Sequence, residues 1–282
     1  MTLKEQYYYL IQNLIPNKAE IQYSFIKKHL DFTGKRVLEI GCGAGALACY
    51  IADNTDVESV TAIEPDLSMF SISKPSGPNY NIIECDGRKL TFEDNSFDYV
   101  YSIGVFEHIA DLDKVFQEIE RVLKPGGEVY AFFEPIFTCI NGHHYQNLIS
   151  EDNTLIPPYG HLFMSENEMY DYVCKKRDKL IAKDVVEWIY TSTYINRLRR
   201  KDYFNIFQNS GMKISHLSEL IRINRNNGPI DNEFFNLEKK YQEYLLDSYS
   251  IEDLLVCGFE IMFQKAPYFK QMVDHSNKLL NK

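Results

Sequence analysis

The stretch "VLEIGCGAGALACYIADN", residues 37–54, limits what this chain can fold into more than any other part of it. A short apolar run passes into a turn built on Gly41, Gly43 and Gly45, and the turn opens a helical pattern. Glycine has no Cβ, so it takes positive φ at little cost and lets the backbone approach a ligand closely, while a helix N-terminus offers free N–H groups. Strand, glycine turn and helix in that order predict the first unit of a parallel α/β sheet that holds a nucleotide-like ligand.

The same rhythm continues downstream. "VTAIE", "YNIIE", "FDYVYS" and "EVYAFF" have the character of strands, "PDLSMFSIS" of a short helix, "LDKVFQEIERVL" of an amphipathic helix and "KPGG" of a turn. Short apolar strands alternating with such helices imply βαβ units and a sheet covered on both faces. Upstream, Leu3, Tyr7, Leu10, Ile11 and Leu14, then Ile21, Phe25, Ile26 and Leu30, fall at helical spacing on either side of Pro16. The pattern fails from Pro135 on, in "EPIFTCINGHHYQNLISEDNTLIPPYGHLFMSENEM", and a long irregular connection of this kind is usually functional. Beyond it the spacing predicts a helix over 169–189, a helix in "KDYFNIFQNSG", a strand in "MKISHLSE", a helix in "NEFFNLEKKYQEYLLD" and a last strand in "VCGFEIMFQ". The expected units are capping helices (1–34), a ligand-binding core (35–134), an insertion or lid over the ligand (135–200), the rest of the core sheet (201–265) and a tail (266–282).

Charge and cysteine usage narrow the partners. The formal net charge of the 282 residues is -10, which disfavours nucleic acid or an anionic membrane as the main partner. Six cysteines without a CxxC pair suggest neither a zinc site nor a disulfide framework, and fit a reducing compartment. The start "MTLKEQYYYLIQNL" has no basic leader followed by an apolar segment, and no run approaches the ~18 apolar residues of a membrane span. A cytoplasmic monomer or homodimer is the expectation.

The glycine turn alone admits two ligands. Gly41-x-Gly43-x-x-Ala46, with Glu64 further on, satisfies the dinucleotide fingerprint of a dehydrogenase. Glu39, however, places a carboxylate beside the turn, where it would repel a pyrophosphate and suit a cationic amino group. Asp86, at the end of the third strand, is able to accept a hydrogen bond from an adenine amine. Acidic groups at successive strand ends favour a ligand with ribose hydroxyls and positive charge.

In "VLEIGCGAG", "AIEPD", "ECDGRKLTFEDNSFDYVYSIGVFEHIADLDKVFQEIERVLKPGG" and "CGFEIMFQK", the chain resembles the class I S-adenosylmethionine-dependent methyltransferases, particularly the type 11 group. The match is good over residues 35–134 and looser beyond. The resemblance implies an α/β fold: a Rossmann-like, seven-stranded sheet, mostly parallel with its last strand antiparallel, under a helical lid. It implies S-adenosylmethionine as cofactor and S-adenosylhomocysteine as product. On that basis Gly41, Gly43, Gly45 and Gly87 accommodate the cofactor, Glu39 lies near its methionyl amine, and Glu64 binds the ribose hydroxyls. Asp86 reaches the adenine, Ser102 and Ile103 flank the methionyl part, and Glu107 and His108 organise the loop and the cofactor pocket.

The acceptor must be read from the insertion. A hydroxyl has to lose its proton as it is methylated, and an imidazole with an ordinary pKa of ≈6.5 is a natural base at cellular pH. His144, with His161 behind it, is the candidate base, although each imidazole equally suits a hydrogen bond to loop backbone. His143, Tyr145, Tyr159 and Tyr194 are candidate acceptor contacts. Lys and Arg outnumber acids between Lys175 and Lys201, so Arg197 and Arg200 suit a phosphate or, alternatively, a solvated helix face. No HxxxH spacing stands on a helix, and no metal is expected. These residues lead to methyl transfer to a small-molecule hydroxyl, on a sugar, phosphorylated or nucleotide-linked. N- or C-methylation of a small metabolite and a catalytically silent cofactor-binding protein are the alternatives. No "NPPY"-like motif supports nucleic acid as acceptor.

Overall fold

The computed structural model describes residues 18–69, 78–145, 155–221 and 233–267. The expected cap helix over 3–14, the tyrosines at 7–9, the acidic pair at 151 and 152, and the tail beyond 267 lie outside them.

Each strand–helix unit follows from its pattern. β1 (Arg36–Ile40) is exposed only at its first residue, and α2 (Ala46–Asn54) buries Leu47, Ala48 and Ile51 against it. α1 (Lys18–Ile26) precedes them and packs on α2. β2 (Ser59–Glu64), β3 (Tyr80–Glu84) and β4 (Phe97–Ile103) come next. α3 (Leu112–Val122) buries Leu112, Val115, Phe116, Ile119 and Val122, the three-and-four spacing of a helix with one apolar face. β5 (Leu123–Phe133), β6 (Lys213–Ile221) and β7 (Val256–Gln264) complete one seven-stranded sheet in the order β3-β2-β1-β4-β5-β7-β6. β1 to β5 pair in parallel, while β7 runs antiparallel between β5 and β6. The order reverses between β1 and β4. In an open α/β sheet that switch point, at the C-terminal ends of the strands, is where a crevice forms.

Each face of the sheet carries its own core. Val37, Leu47, Ile51, Val60, Tyr101 and Tyr130 pack on the α1–α2 side. Leu38, Val100, Phe116, Ile119, Phe133, Phe207 and Phe259 pack on the other, with α3 and α7 (Arg200–Gln208).

Four local expectations are revised. "KPGG" is absorbed into β5, and its extra residues appear as a register shift against β4 between Phe97 and Tyr99. The helix expected over 169–189 is split into α5 (Glu166–Cys174), α6 (Lys179–Val186) and a π turn at Glu187–Thr191. The break comes from Asp178, whose carboxylate accepts from Leu180 and Ile181 N–H and starts a new helix. "PDLSM" makes a 3₁₀ turn at Leu67–Met69. "NEFFN" likewise forms a 3₁₀ turn at Glu233–Asn236, ahead of α8 (Lys239–Ser248) and α9 (Ile251–Leu255). The insertion also contains α4 (Gly160–Phe163), and it has a core of its own in Tyr145, Ile156, Met169, Val173, Val185 and Trp188.

Candidate functional site

The glycine turn has the geometry that its composition predicts. Gly41, Gly43 and Gly45 all take positive φ, at 77°, 54° and 78°. A Cβ on Gly41 would run into both methyls of Val105, so the turn and the loop after β4 approach too closely for any side chain there. The Gly43 N–H donates to Glu64 Oε2 at 3.0 Å, which fastens the end of β2 to the turn. Glu39 is 5% exposed and accepts from the Tyr101 hydroxyl at 3.0 Å. Burial pushes its carboxyl up to about 8, against the Tyr101 and Ala48 hydrogen bonds and with help from the Glu64 charge.

These residues fit S-adenosylmethionine. Two buried carboxylates stand at the ends of β1 and β2, and a cation relieves the desolvation that keeps Glu39 protonated. Glu39 and Glu64 would hold the amino group and the ribose. The other residues expected at the cofactor have contacts within the protein. Asp86 is already gripped by Arg88, whose Nε and Nη2 reach its carboxylate at 3.0 and 2.6 Å. Gly87 packs its backbone against Ile40 and Val115. The Ser102 hydroxyl donates to the Ile40 carbonyl at 3.0 Å and so ties β4 to β1, while half-buried Ile103 packs on the α1–α2 core.

Over the ends of β4 and β5, the structure sorts the histidines into two pairs. His108 and His144 meet with ring centroids 5.0 Å apart, and Tyr194 lies 4.3 Å from His108. His144 takes φ 57°, uncommon for a non-glycine residue, and its Nε2 lies 2.7 Å from the Pro135 carbonyl. A carbonyl only accepts, so Nε2 carries the proton and Nδ1 the lone pair. His108 Nδ1 makes the matching bond to the Tyr194 carbonyl at 2.9 Å, and burial lowers this imidazole to about 4. His108, expected at the cofactor, thus belongs to the group that contains His144. Glu107 is 1% exposed with its Oε1 3.7 Å from His108 Nε2. Among the described residues its Oε2 has no hydrogen-bond partner.

His143 and His161 form the second pair, also 5.0 Å apart, on the lid side. His143 Nδ1 accepts from the Tyr145 N–H, and its carbonyl accepts from Trp188 Nε1. His161 donates from Nε2 to the Phe137 carbonyl at 2.7 Å, and burial brings its pKa to about 4. The structure brings His144 to the strand ends with His108 and Tyr194, and places His161 against His143 and Phe137.

Other acceptor candidates pack or bond within the protein, and among the described residues the Tyr145 hydroxyl has no hydrogen-bond partner. Tyr145 packs in the lid core beside Trp188. Tyr159 is fully buried and donates to the Leu254 carbonyl at 2.9 Å, joining Phe234 and Leu245 in a small core. Arg197 donates to the Ile189 and Ser192 carbonyls, and Arg200 pairs with Glu219 at 2.6 Å. Arg197 thus has its Nη2 engaged, and Arg200 its Nε and Nη2.

Residue-type reasoning passed over Asn196. Its side chain donates to the Phe106 and Ile109 carbonyls, its N–H donates to the Glu107 carbonyl, and its Oδ1 accepts from Tyr203. One amide therefore locks the 106–109 loop to the lid, and no spacing in the sequence announces it. Glu134, at the end of β5, was also missed, and its charge acts on Glu107. Among the described residues no group of three His, Cys, Asp or Glu is placed to hold a metal, and no helix is long and apolar enough to cross a membrane.

Comparison with known proteins agrees with this geometry. Residues 38–131 match the family model described as "Methyltransferase domain". Phosphoethanolamine N-methyltransferase 2 of Caenorhabditis elegans is 35% identical over 208 residues, which cover 59% of this chain and 47% of that protein. Sterol 24-C-methyltransferase of Pneumocystis carinii is 38% identical over 106 residues, 36% of this chain and 28% of its own length. The chain therefore spans less than half the length of these curated relatives. Among solved structures, phosphoethanolamine N-methyltransferase 2 of Haemonchus contortus with S-adenosyl-L-methionine aligns with a TM-score of 0.56 at 19% identity, over 93% of this chain and 56% of that one. An S-adenosylmethionine-dependent methyltransferase of Mesorhizobium loti aligns at 0.52 and 15%, over 86% and 97%. With the strand order, the antiparallel β7, the glycine turn and the matched core in agreement, residues 38–131 of the chain carry a methyltransferase domain of the type 11-like group, on the fold of the class I S-adenosylmethionine-dependent methyltransferases.

Proposed function

We propose that the protein methylates a heteroatom of a small molecule, with S-adenosylmethionine as donor and His144 as the group that takes the acceptor's proton. When bound, the cofactor supplies a methyl group on a sulfonium: the acceptor's lone pair forms the new bond as the carbon–sulfur bond breaks. The protein's own contribution is to hold the nucleophile in line and to receive the proton it sheds.

One observation carries this role for His144. The residue is held in left-handed backbone conformation, with Nε2 bound to the Pro135 carbonyl and its ring against His108 at the ends of β4 and β5. Strained non-glycine backbone of this kind concentrates at functional sites, and with Nε2 donating, the neutral imidazole carries its lone pair on Nδ1. His161, paired with His143 on the lid side, is the weaker candidate. A phosphorylated or nucleotide-linked sugar draws no support from Arg197 and Arg200, which are engaged elsewhere. The relatives named above act on an amine and on a sterol carbon.

Calorimetry with S-adenosylhomocysteine, then release of that product with phosphoethanolamine, simple amines and sugar alcohols as acceptors, tests the proposal. The wild type is expected to bind the product. His144→Gln is expected to bind it equally and to lose about 100-fold or more in kcat on whichever acceptor turns over. Failure of the wild type to bind it, or full turnover by the variant, overturns the assignment.

A further inference from the structure

Glu107 is buried with no Lys or Arg among the described residues paired to it. The residue lies in the short 3₁₀ turn Phe106–His108 that follows β4, and its side chain is 2% exposed. Among the described residues its Oε2 has no hydrogen-bond partner, and neither Glu107 nor Glu134 forms an ion pair with Lys or Arg. An unsatisfied buried carboxyl is costly even when neutral, because its lost hydration is not replaced. A fold that keeps one has a use for it elsewhere.

The carboxyl's direction is recorded by Gly104. This residue closes β4 at φ 68°, and a Cβ built on it would find only Glu107 Oε1, at 3.9 Å, within contact range. Oε1 therefore lies beside the end of β4, next to the switch point of the sheet and 3.7 Å from His108 Nε2. Other groups around it are a second carboxylate and rings. Glu134 ends β5 and raises the cost of ionising Glu107, with burial the larger cause. His108 and Tyr194 stand in ring contact, Trp188 lies 4.9 Å beyond Tyr194, and the Tyr203 hydroxyl approaches from α7. The imidazole of His108 stays neutral, and Arg197, Arg199 and Arg200 are bound to carbonyls or to Glu219. Acceptor oxygens, aromatic faces and, among the described residues, no fixed cation surround the carboxyl and suit a positively charged hydrogen-bond donor, to which the ring faces add cation–π attraction.

We propose that the acceptor is an amine and that Glu107 is the residue that binds its nitrogen, Oε2 receiving an N–H. The proposal rests on the methyltransferase function above and deepens it from a heteroatom to nitrogen. Glu107 selects for charge, since an alcohol offers the same site one neutral donor, while an ammonium offers three and a full charge; the bound ammonium then gives one proton to His144, which frees the nitrogen lone pair to attack the methyl group.

Methylammonium, the smallest alkylammonium, is the probe, titrated into the full chain saturated with S-adenosylhomocysteine. The emission of Trp188, the single tryptophan of the chain, is the readout, with sodium chloride at equal ionic strength and methanol as controls. Saturable change with methylammonium and none with methanol is expected in the wild type. A tenfold or greater weakening is expected in Glu107→Gln, with S-adenosylhomocysteine affinity the same in both. No saturation in the wild type overturns the proposal whatever the variant does, as does equal saturation in both proteins or equal response to methanol. Should Glu107→Gln not fold, Glu107→Asp, which withdraws the carboxyl by one methylene, is read in the same way. Lack of S-adenosylhomocysteine binding by the wild type would count against the methyltransferase function, and methylammonium titrated without it still decides the role of Glu107.

Discussion

At the scale of single residues, the site is a set of buried carboxyls whose protonation the fold controls. Glu39 shows the consequence for stability. Its folded pKa of about 8 lies above the ~4.3 of an unfolded glutamate. Between those values the native state holds a proton that the unfolded state has released. This contribution to stability is therefore complete below about pH 4.3 and is lost as pH rises through about 8. Glu39→Gln, which keeps the shape and cannot ionise, is expected to melt at a higher temperature than the wild type at about pH 9, the difference shrinking towards about pH 5. Thermal melts across that range check it, and a difference independent of pH would show that Glu39 does not titrate there. The same substitution is expected to weaken S-adenosylhomocysteine binding. Which carboxyls matter was partly legible in the sequence: Glu39 and Glu64 stand in strand–turn positions that residue order alone identifies. Glu107 was legible only as a loop organiser, because its missing partner is a property of everything folded around it.

Among elements, the lid was the least legible. Apolar residues at helical spacing stand on both sides of the charged run 175–179, so periodicity alone joins what the structure separates into α5 and α6. Asp178 decides the matter by capping α6 with bonds of 2.9 and 3.0 Å to Leu180 and Ile181 N–H. Asp178→Ala is expected to cost about 1 kcal/mol. Urea unfolding followed by Trp188 emission, which reports the lid core, measures it. The insertion's other contacts are likewise tertiary. The Arg-rich segment looks like a phosphate clamp by composition, yet Arg197 closes a turn at φ 55° by donating to two carbonyls, and Arg200 pairs across to Glu219 on β6. Charge clustering records which side chains are near in sequence and is silent on which acceptors the fold brings to them.

In the whole molecule, one close approach couples the two ends of the sheet. β7 enters between β5 and β6, and at Gly258 it runs so near β5 that a Cβ would overlap the Phe133 carbonyl oxygen and the Glu134 side chain. Gly258→Ala is expected to destabilise the protein by about 1–3 kcal/mol. Because Phe133 and Glu134 lead directly into Pro135, whose carbonyl holds His144, the substitution is also expected to lower kcat. Equilibrium unfolding and turnover on the same preparation separate the two effects, and an unchanged unfolding midpoint would mean that β5 moves aside freely. Glycine at this position is a demand of strand-to-strand distance, which no local pattern of the sequence reveals.

By itself the sequence determined the parallel core and its ligand end. Alternating apolar strands and amphipathic helices, a glycine turn after the first strand, and acids at the following strand ends are local in register, and local spacing dictates them through backbone geometry and burial. Only the tertiary structure decided which side chains share a site. It paired His144 with His108 and His161 with His143, spent Tyr159 and the arginines on internal bonds, used Asn196 as the clasp between loop and lid, and buried Glu107 with its Oε2 lacking a hydrogen-bond partner among the described residues. Hydrogen-bond satisfaction and desolvation depend on neighbours that are far apart along the chain, so they come into being only when the chain closes on itself.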